Sequence, residues 1–279
     1  LQETLDMQNK KAAALWPWLI GIVLVAGLGW WLFRPGTTTQ TASPPPAFPS
    51  RTQPAPNQPP SASATDAPSG PQHPIDSPAA ADAAIPALAD SDAAAWDALS
   101  GLSGDTSVLG VVLRDHLIQR LVTMVDNLTQ RSVTRQSLAL QPLPGQLQVQ
   151  LGEAGTALAP ANAARYAPYV KAFVAVDPQA LARVYRRFYP LFQQAYAELG
   201  YPGGYFNDRL VQVIDHLLQA PEPTQPLIVE PDDRGTYRFV DPALESLSIG
   251  QKALVRLGPE QEAAVKRQLR AIREALARS

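Results

Sequence analysis

Between Ala12 and Phe33 the chain reads AAALWPWLIGIVLVAGLGWWLF, 22 consecutive residues without a charge. No other stretch narrows its folding options so far. As a helix rising about 1.5 Å per residue, the run is about 33 Å long, which matches the hydrocarbon core of a bilayer. Trp16 and Trp18 stand near one end and Trp30 and Trp31 at the other, as tryptophan does at the two headgroup levels. Pro17 falls in the first turn, where a missing N–H costs little. The run therefore predicts one N-terminal transmembrane helix, Ala12–Phe33. It is too long for the apolar part of a signal peptide, and no small-residue cleavage site follows Trp30-Trp31-Leu32-Phe33-Arg34-Pro35. Lys10 and Lys11 precede the run and Arg34 follows it, so the charge bias keeps residues 1–11 in the cytoplasm as a short N-terminus.

From residue 34 to 89 the composition changes. Half of the chain's 28 prolines lie between Pro35 and Ala87, among Thr, Ser, Gln and Ala, with Phe48 as the lone aromatic residue. Such a stretch has too little apolar surface to offset its ordering entropy. It predicts a Pro-rich disordered linker, partly polyproline II, that acts as a spacer.

Residues 90–279 are long enough for a sizeable core. The fold class expected is α+β and mainly helical, a C-terminal helical domain with two small β-hairpins behind the transmembrane helix and linker. Ser91 or Asp90 caps a short helix through Leu99, and a helix in two pieces covers Ser107–Leu128. Alternation at Leu147–Leu151 and Thr156–Leu158 around Gly152–Gly155 gives one hairpin, and Leu227–Glu230 with Thr236–Val240 gives the other. Asp177-Pro178 starts a helix that Gly200 stops, with a kink expected at Pro190. Asn207 or Asp208 caps a helix to Leu218, and Asp241-Pro242 and Gly258-Pro259 open two more.

Several function classes drop out on composition. The net charge is −2, without the basic excess that nucleic-acid binding through phosphate contacts requires. There is no cysteine, hence no disulfide framework, thiolate metal site or cysteine nucleophile. Three histidines, His73, His116 and His216, make an all-histidine metal site improbable. No H-E-x-x-H or P-loop motif occurs. No cofactor and no metal are expected, and the sequence leans away from an enzyme.

The string VYRRFYPLFQQAYAELGYPGGYFNDRLVQVIDHLL from Val184 to Leu218 carries a resemblance. With Val125-Asp126-Asn127-Leu128, Arg165-Tyr166-Ala167-Pro168-Tyr169 and Gly258-Pro259, it resembles the bacterial family of membrane-anchored proteins with domain of unknown function 3014. The resemblance covers most of the chain after about residue 90. It implies an envelope protein of a Gram-negative bacterium with an N-terminal membrane span and a low-complexity linker; together with the charge bias at Lys10 and Lys11, the expected location is the inner membrane, single-pass, with the C-terminal domain in the periplasm. It implies no activity and no site residues.

Three groups of residues stand out as candidate sites. Eleven aromatic residues fall between Tyr166 and Phe206. A packed core explains the helical ones, and a tyrosine-lined groove is the alternative. Tyr201, Tyr205 and Phe206 border the Gly-rich turn and are the members expected at the surface as ligand contacts. Arg183, Arg186 and Arg187 share one helix face, which reads as a solvated face or as a contact for acidic groups. Asp208, Asp215 and His216 offer an aspartate–histidine pairing for general-base chemistry, without a G-x-S-x-G nucleophile motif beside it. The function expected is a membrane-anchored periplasmic binding or scaffold protein. Its partners would be the lipid bilayer through Ala12–Phe33 and an envelope protein or glycan, with no nucleic acid. The alternative is an envelope hydrolase using Asp208, Asp215 and His216.

Overall fold

The computed structural model describes residues 70–75, 85–103, 106–134, 137–143, 145–233 and 236–277. Eight α-helices are present among them: α1 Asp92–Ser100, α2 Leu117–Asn127, α3 Ala161–Val174, α4 Pro178–Glu198, α5 Phe206–Leu218, α6 Pro242–Glu245, α7 Ile249–Arg256 and α8 Pro259–Ala277. Antiparallel hairpins are made by β1 Val149–Gly152 with β2 Gly155–Leu158 and by β3 Val229–Pro231 with β4 Tyr237–Phe239. Ala157 and Ile228 form a bridge that sets β2 beside β3.

One part of the expected fold class needs correction. Among the described residues no helix is long and apolar enough to cross a membrane. These residues make a mainly helical fold with two small hairpins. The run Ala12–Phe33, on which that expectation rested, lies outside the described residues.

Helix α4 organises the core. Asp177 caps it by accepting from the N–H groups of Gln179 and Ala180, and Pro178 occupies the first turn, where its missing donor is harmless. The helix runs through Pro190, and Gly200 beyond its end takes φ +121°, a conformation open to glycine. Leu181, Tyr185, Phe188, Phe192 and Tyr196 recur at three- and four-residue steps and are buried as one stripe. α2 and α8 both pack on α4, and α5 packs on α2 and α8. α8 brings Val265, Leu269, Ile272 and Leu276 into the same core. A smaller apolar cluster of Val229, Phe239 and Val255 sits under the hairpins, where burial pushes the Arg256 guanidinium, stacked over Phe239, down to about 10.

Several starts and stops differ from the sequence reading. Ser91 does not cap α1; its hydroxyl donates to the Leu88 carbonyl and is buried. The Asp92 carboxylate instead accepts the N–H groups of His116 and Leu117 at 2.8 and 2.9 Å, serving the start of α2 from another helix. A separate helix, α7, is set by a capping box between Ser248 and Gln251. Part of the stretch read as linker also belongs to the fold. Leu88 joins the main core, and Ile75 and Ile85 pack against it.

Candidate functional site: a cleft that holds a segment of its own chain

The loop between α4 and α5 is fixed by one side chain. Gln193 donates from Nε2 to the Gly204 carbonyl at 2.7 Å, and its Oε1 accepts from the Phe206 N–H at 2.9 Å and the Tyr189 hydroxyl at 3.1 Å. This sets the first turn of α5, whose N-cap position is Tyr205, with no side-chain cap. Asn207 and Asp208 therefore do not cap the helix as expected. They lie inside its first turn, and their side chains face a distant part of the chain.

That part is Gly70–Ile75. The Asp208 carboxylate accepts the Gln72 N–H at 2.9 Å and the His73 N–H at 2.6 Å, and Asn207 Nδ2 donates to the His73 carbonyl at 2.8 Å. Gln72 and His73 stand between Pro71 and Pro74, which have no N–H to offer. The two donors of this short stretch thus meet one carboxylate. Asn207 is 2% exposed, and among the described residues its Oδ1 has no hydrogen-bond partner. Beneath the grip, burial pushes the Tyr185 hydroxyl well above its ordinary ionisation range, with Tyr189 and Asp208 adding to the effect.

A cleft of about 610 Å³ opens beside this contact, lined by Tyr196, Tyr205, Arg209, Gln212, Asp215 and His216 together with Gln72, His73 and Asp208. One wall is braced by Arg209. Its Nε meets Asp126 Oδ1 at 2.7 Å, and its Nη2 donates to the Asp126 carbonyl and to Thr129 Oγ1. Tyr201 stacks on Tyr196 with centroids 4.7 Å apart and donates to Asp126 Oδ2 at 3.3 Å.

The candidate residues sort as follows. Tyr201 and Tyr205 are exposed, as expected of contact residues. Phe206 is not: it is 1% exposed and stacks on Phe192 at 5.6 Å, because the first residue of α5 points back into the helical core. Arg183 and Arg187 are exposed on α4, with Arg183 4.0 Å from Asp177, whereas Arg186 is half-buried and donates to the Ala182 carbonyl. These arginines are not among the residues that line the cleft.

Asp208, Asp215 and His216 do border one cleft, but each is engaged elsewhere. Asp215 takes both Nε and Nη2 of Arg273, at 2.5 and 2.9 Å. His216 Nε2 lies 2.9 Å from Ser248 Oγ, and Ser248 is buried and accepts the Gln251 N–H. Burial, then the Arg209 charge, hold the imidazole's ionisation below its usual value. Among the described residues no cluster of three or more histidines and carboxylates is placed to hold a metal. The sequence reading missed Gln72 and His73, because composition averages a short docked stretch into the linker around it. Pro71, Pro74 and the aliphatic Ile75 were the available signal.

The model of a family described as protein of unknown function, DUF3014, matches residues 117–273. No curated protein and no solved structure matches the chain. The side chains that grip the segment fall inside the matched range, and the segment precedes it.

Proposed function

The chain belongs to the DUF3014 family, and we propose that its helical domain is a protein-binding module whose cleft at the start of α5 takes a short peptide segment. The observation that carries this reading is the three-point grip of Asn207 and Asp208 on the backbone of Gln72 and His73. Hydrogen bonds to an ionised acceptor are the stronger kind, and the partial positive charge at the first turn of α5 favours the carboxylate there. Tyr205 and Tyr196 supply flat surface beside the grip. Of an envelope protein and a glycan, the polypeptide backbone fits these donors and acceptors as they stand.

The place of work is part of the proposal. The uncharged run from 12 to 33 and the two lysines ahead of it support an inner-membrane protein with this domain in the periplasm. The Pro-rich composition of the stretch that follows suits a spacer that lets the module search for partners near the membrane. Alkaline phosphatase fused after Ser279 is expected to be active, and an inactive fusion beside a fluorescent cytoplasmic one would overturn the location.

The binding reading is tested on the full chain carrying both Gln72→Pro and His73→Pro, which removes the two N–H groups that Asp208 holds and so frees the cleft. A labelled peptide Gly-Pro-Gln-His-Pro-Ile is then titrated. Saturable binding is expected, weakened about tenfold or more by Asp208→Asn, which removes the charge and one acceptor. Binding that ignores Asp208 would contradict the reading.

A further inference from the structure

We propose that Pro71–Ile75 is a displaceable self-ligand that closes the cleft to other peptides of its class until one of them competes it away. The inference rests on the peptide-binding reading above and adds its regulation and ligand class.

The grip reads backbone, not side chains. Asp208 takes two consecutive N–H groups and Asn207 gives one N–H to a carbonyl. Any chain that offers those groups in the same order can make the same contacts. The flanking prolines supply the conformation. Pro71 and Pro74 fix their own φ, and the chain bends at Gln72 and His73 between them, which turns both N–H groups toward one carboxylate. Ile75 then packs against the apolar core. The ligand class follows: a short bent peptide with two free N–H groups between prolines and an aliphatic residue after the second.

The fit of the self-ligand is incomplete, which makes it replaceable. Asn162 shows what a complete fit looks like in this fold. Its Oδ1 accepts the Gln148 N–H at 3.0 Å while its Nδ2 donates to the Gln148 carbonyl at 2.6 Å. Among the described residues Asn207 uses only its Nδ2, and its buried Oδ1 is left without a donor. The side chains of Gln72 and His73 border open space in the cleft without filling it. A partner that supplies the missing donor or fills that space gains what the self-ligand forgoes. The self-ligand has proximity in its favour. Residues 76–84 are all that separate Ile75 from Ile85 on the domain, and a short tether gives an effective concentration of about a millimolar.

The test measures, by fluorescence anisotropy, the affinity of labelled Gly-Pro-Gln-His-Pro-Ile for four forms of the full chain. His73→Pro removes the donor of the His73–Asp208 bond and leaves the walls of the cleft intact; Gln72→Pro does the same for the other bond. Either is expected to bind the added peptide about tenfold or more tightly than the wild type, the factor by which a tethered competitor at about a millimolar masks a site of about 100 µM. Asp208→Asn combined with His73→Pro is expected to lose that gain. Equal, measurable affinity in the wild type and both proline variants would overturn the self-ligand and spare the binding module. No binding in either proline variant would overturn both.

Discussion

The backbone N–H of His73 donates to Asp208 Oδ1 at 2.6 Å, across 135 residues of sequence. Aspartate in the first turn of a helix ordinarily serves that helix. Here the helix is started by Tyr205 with Gln193 holding the Phe206 N–H, so the carboxylate is free to hold something else. A residue that would be spent on secondary structure becomes part of a receptor.

The aromatic residues at this turn divide sharply in what they contribute. Phe206→Ala is expected to cost about 3–5 kcal/mol, because it empties a stacked position in the core. Tyr205→Ala, at 39% exposure, is expected to stay within about 0.5 kcal/mol of wild type while weakening peptide binding. Urea unfolding measures both, and comparable losses would place Tyr205 in the core as well.

Arg209 joins α5 to α2 through a guanidinium held at Asp126 Oδ1, the Asp126 carbonyl and Thr129 Oγ1. The paired side chains are only 16% and 13% exposed. Arg209→Ala is expected to cost about 3 kcal/mol, since it leaves the carboxylate half-stranded, and Arg209→Lys recovers only part of that loss because an ammonium cannot reproduce the planar fork. A double-mutant cycle with Asp126→Asn is the check, and additive effects would show that the two do not act together.

His216 makes stability depend on pH in a definite direction. Its imidazole lies 2.9 Å from the Ser248 hydroxyl, and burial followed by the Arg209 charge lowers its folded ionisation below the unfolded one. The contribution is therefore complete above the unfolded value of about 6.5 and is lost as pH falls through the folded one. Urea midpoints at pH 8 and pH 5 are expected to differ more in the wild type than in His216→Asn. The same difference in both would mean that His216 does not carry the effect.

Gly250→Ala reverses the usual sign of a glycine-to-alanine change in a helix, which favours alanine by about 1 kcal/mol. A Cβ there would lie 2.5 Å from Leu217 Cδ2 and 2.9 Å from the Leu128 carbonyl oxygen. That carbonyl already accepts the Gly250 N–H at 3.1 Å and cannot withdraw freely. A loss of about 1–3 kcal/mol is expected from overpacking. A thermal midpoint at or above wild type would contradict the close packing of α7 on α2 and α5.

What the sequence disclosed was local. Asp177-Pro178, the stripe of α4 and both hairpins are written in neighbouring residues, and the structure has them where periodicity and turn chemistry put them. The site was legible only in part. Tyr201 and Tyr205 border a Gly-rich turn and are exposed, but Phe206 beside them is buried, because one residue of helix rotates a side chain from solvent to core. Asn207-Asp208 carries the composition of a cap, and nothing within a few residues reveals that its partners are at 72 and 73. The Ser248–Gln251 capping box was readable from its spacing and marks α7 as a separate helix. The pairing of Asp215 with Arg273 depends on α8 folding back across α5, which no local pattern encodes.

The most direct measurement is amide hydrogen exchange at Gln72 and His73 in the full chain. The account holds that Asp208 grips these two N–H groups. Both should then exchange about tenfold or more slowly than in an unstructured peptide, and Asp208→Asn should return them toward the unstructured rate while α4 and α8 stay protected. Exchange at the unstructured rate in the wild type, or protection that survives Asp208→Asn, would contradict it.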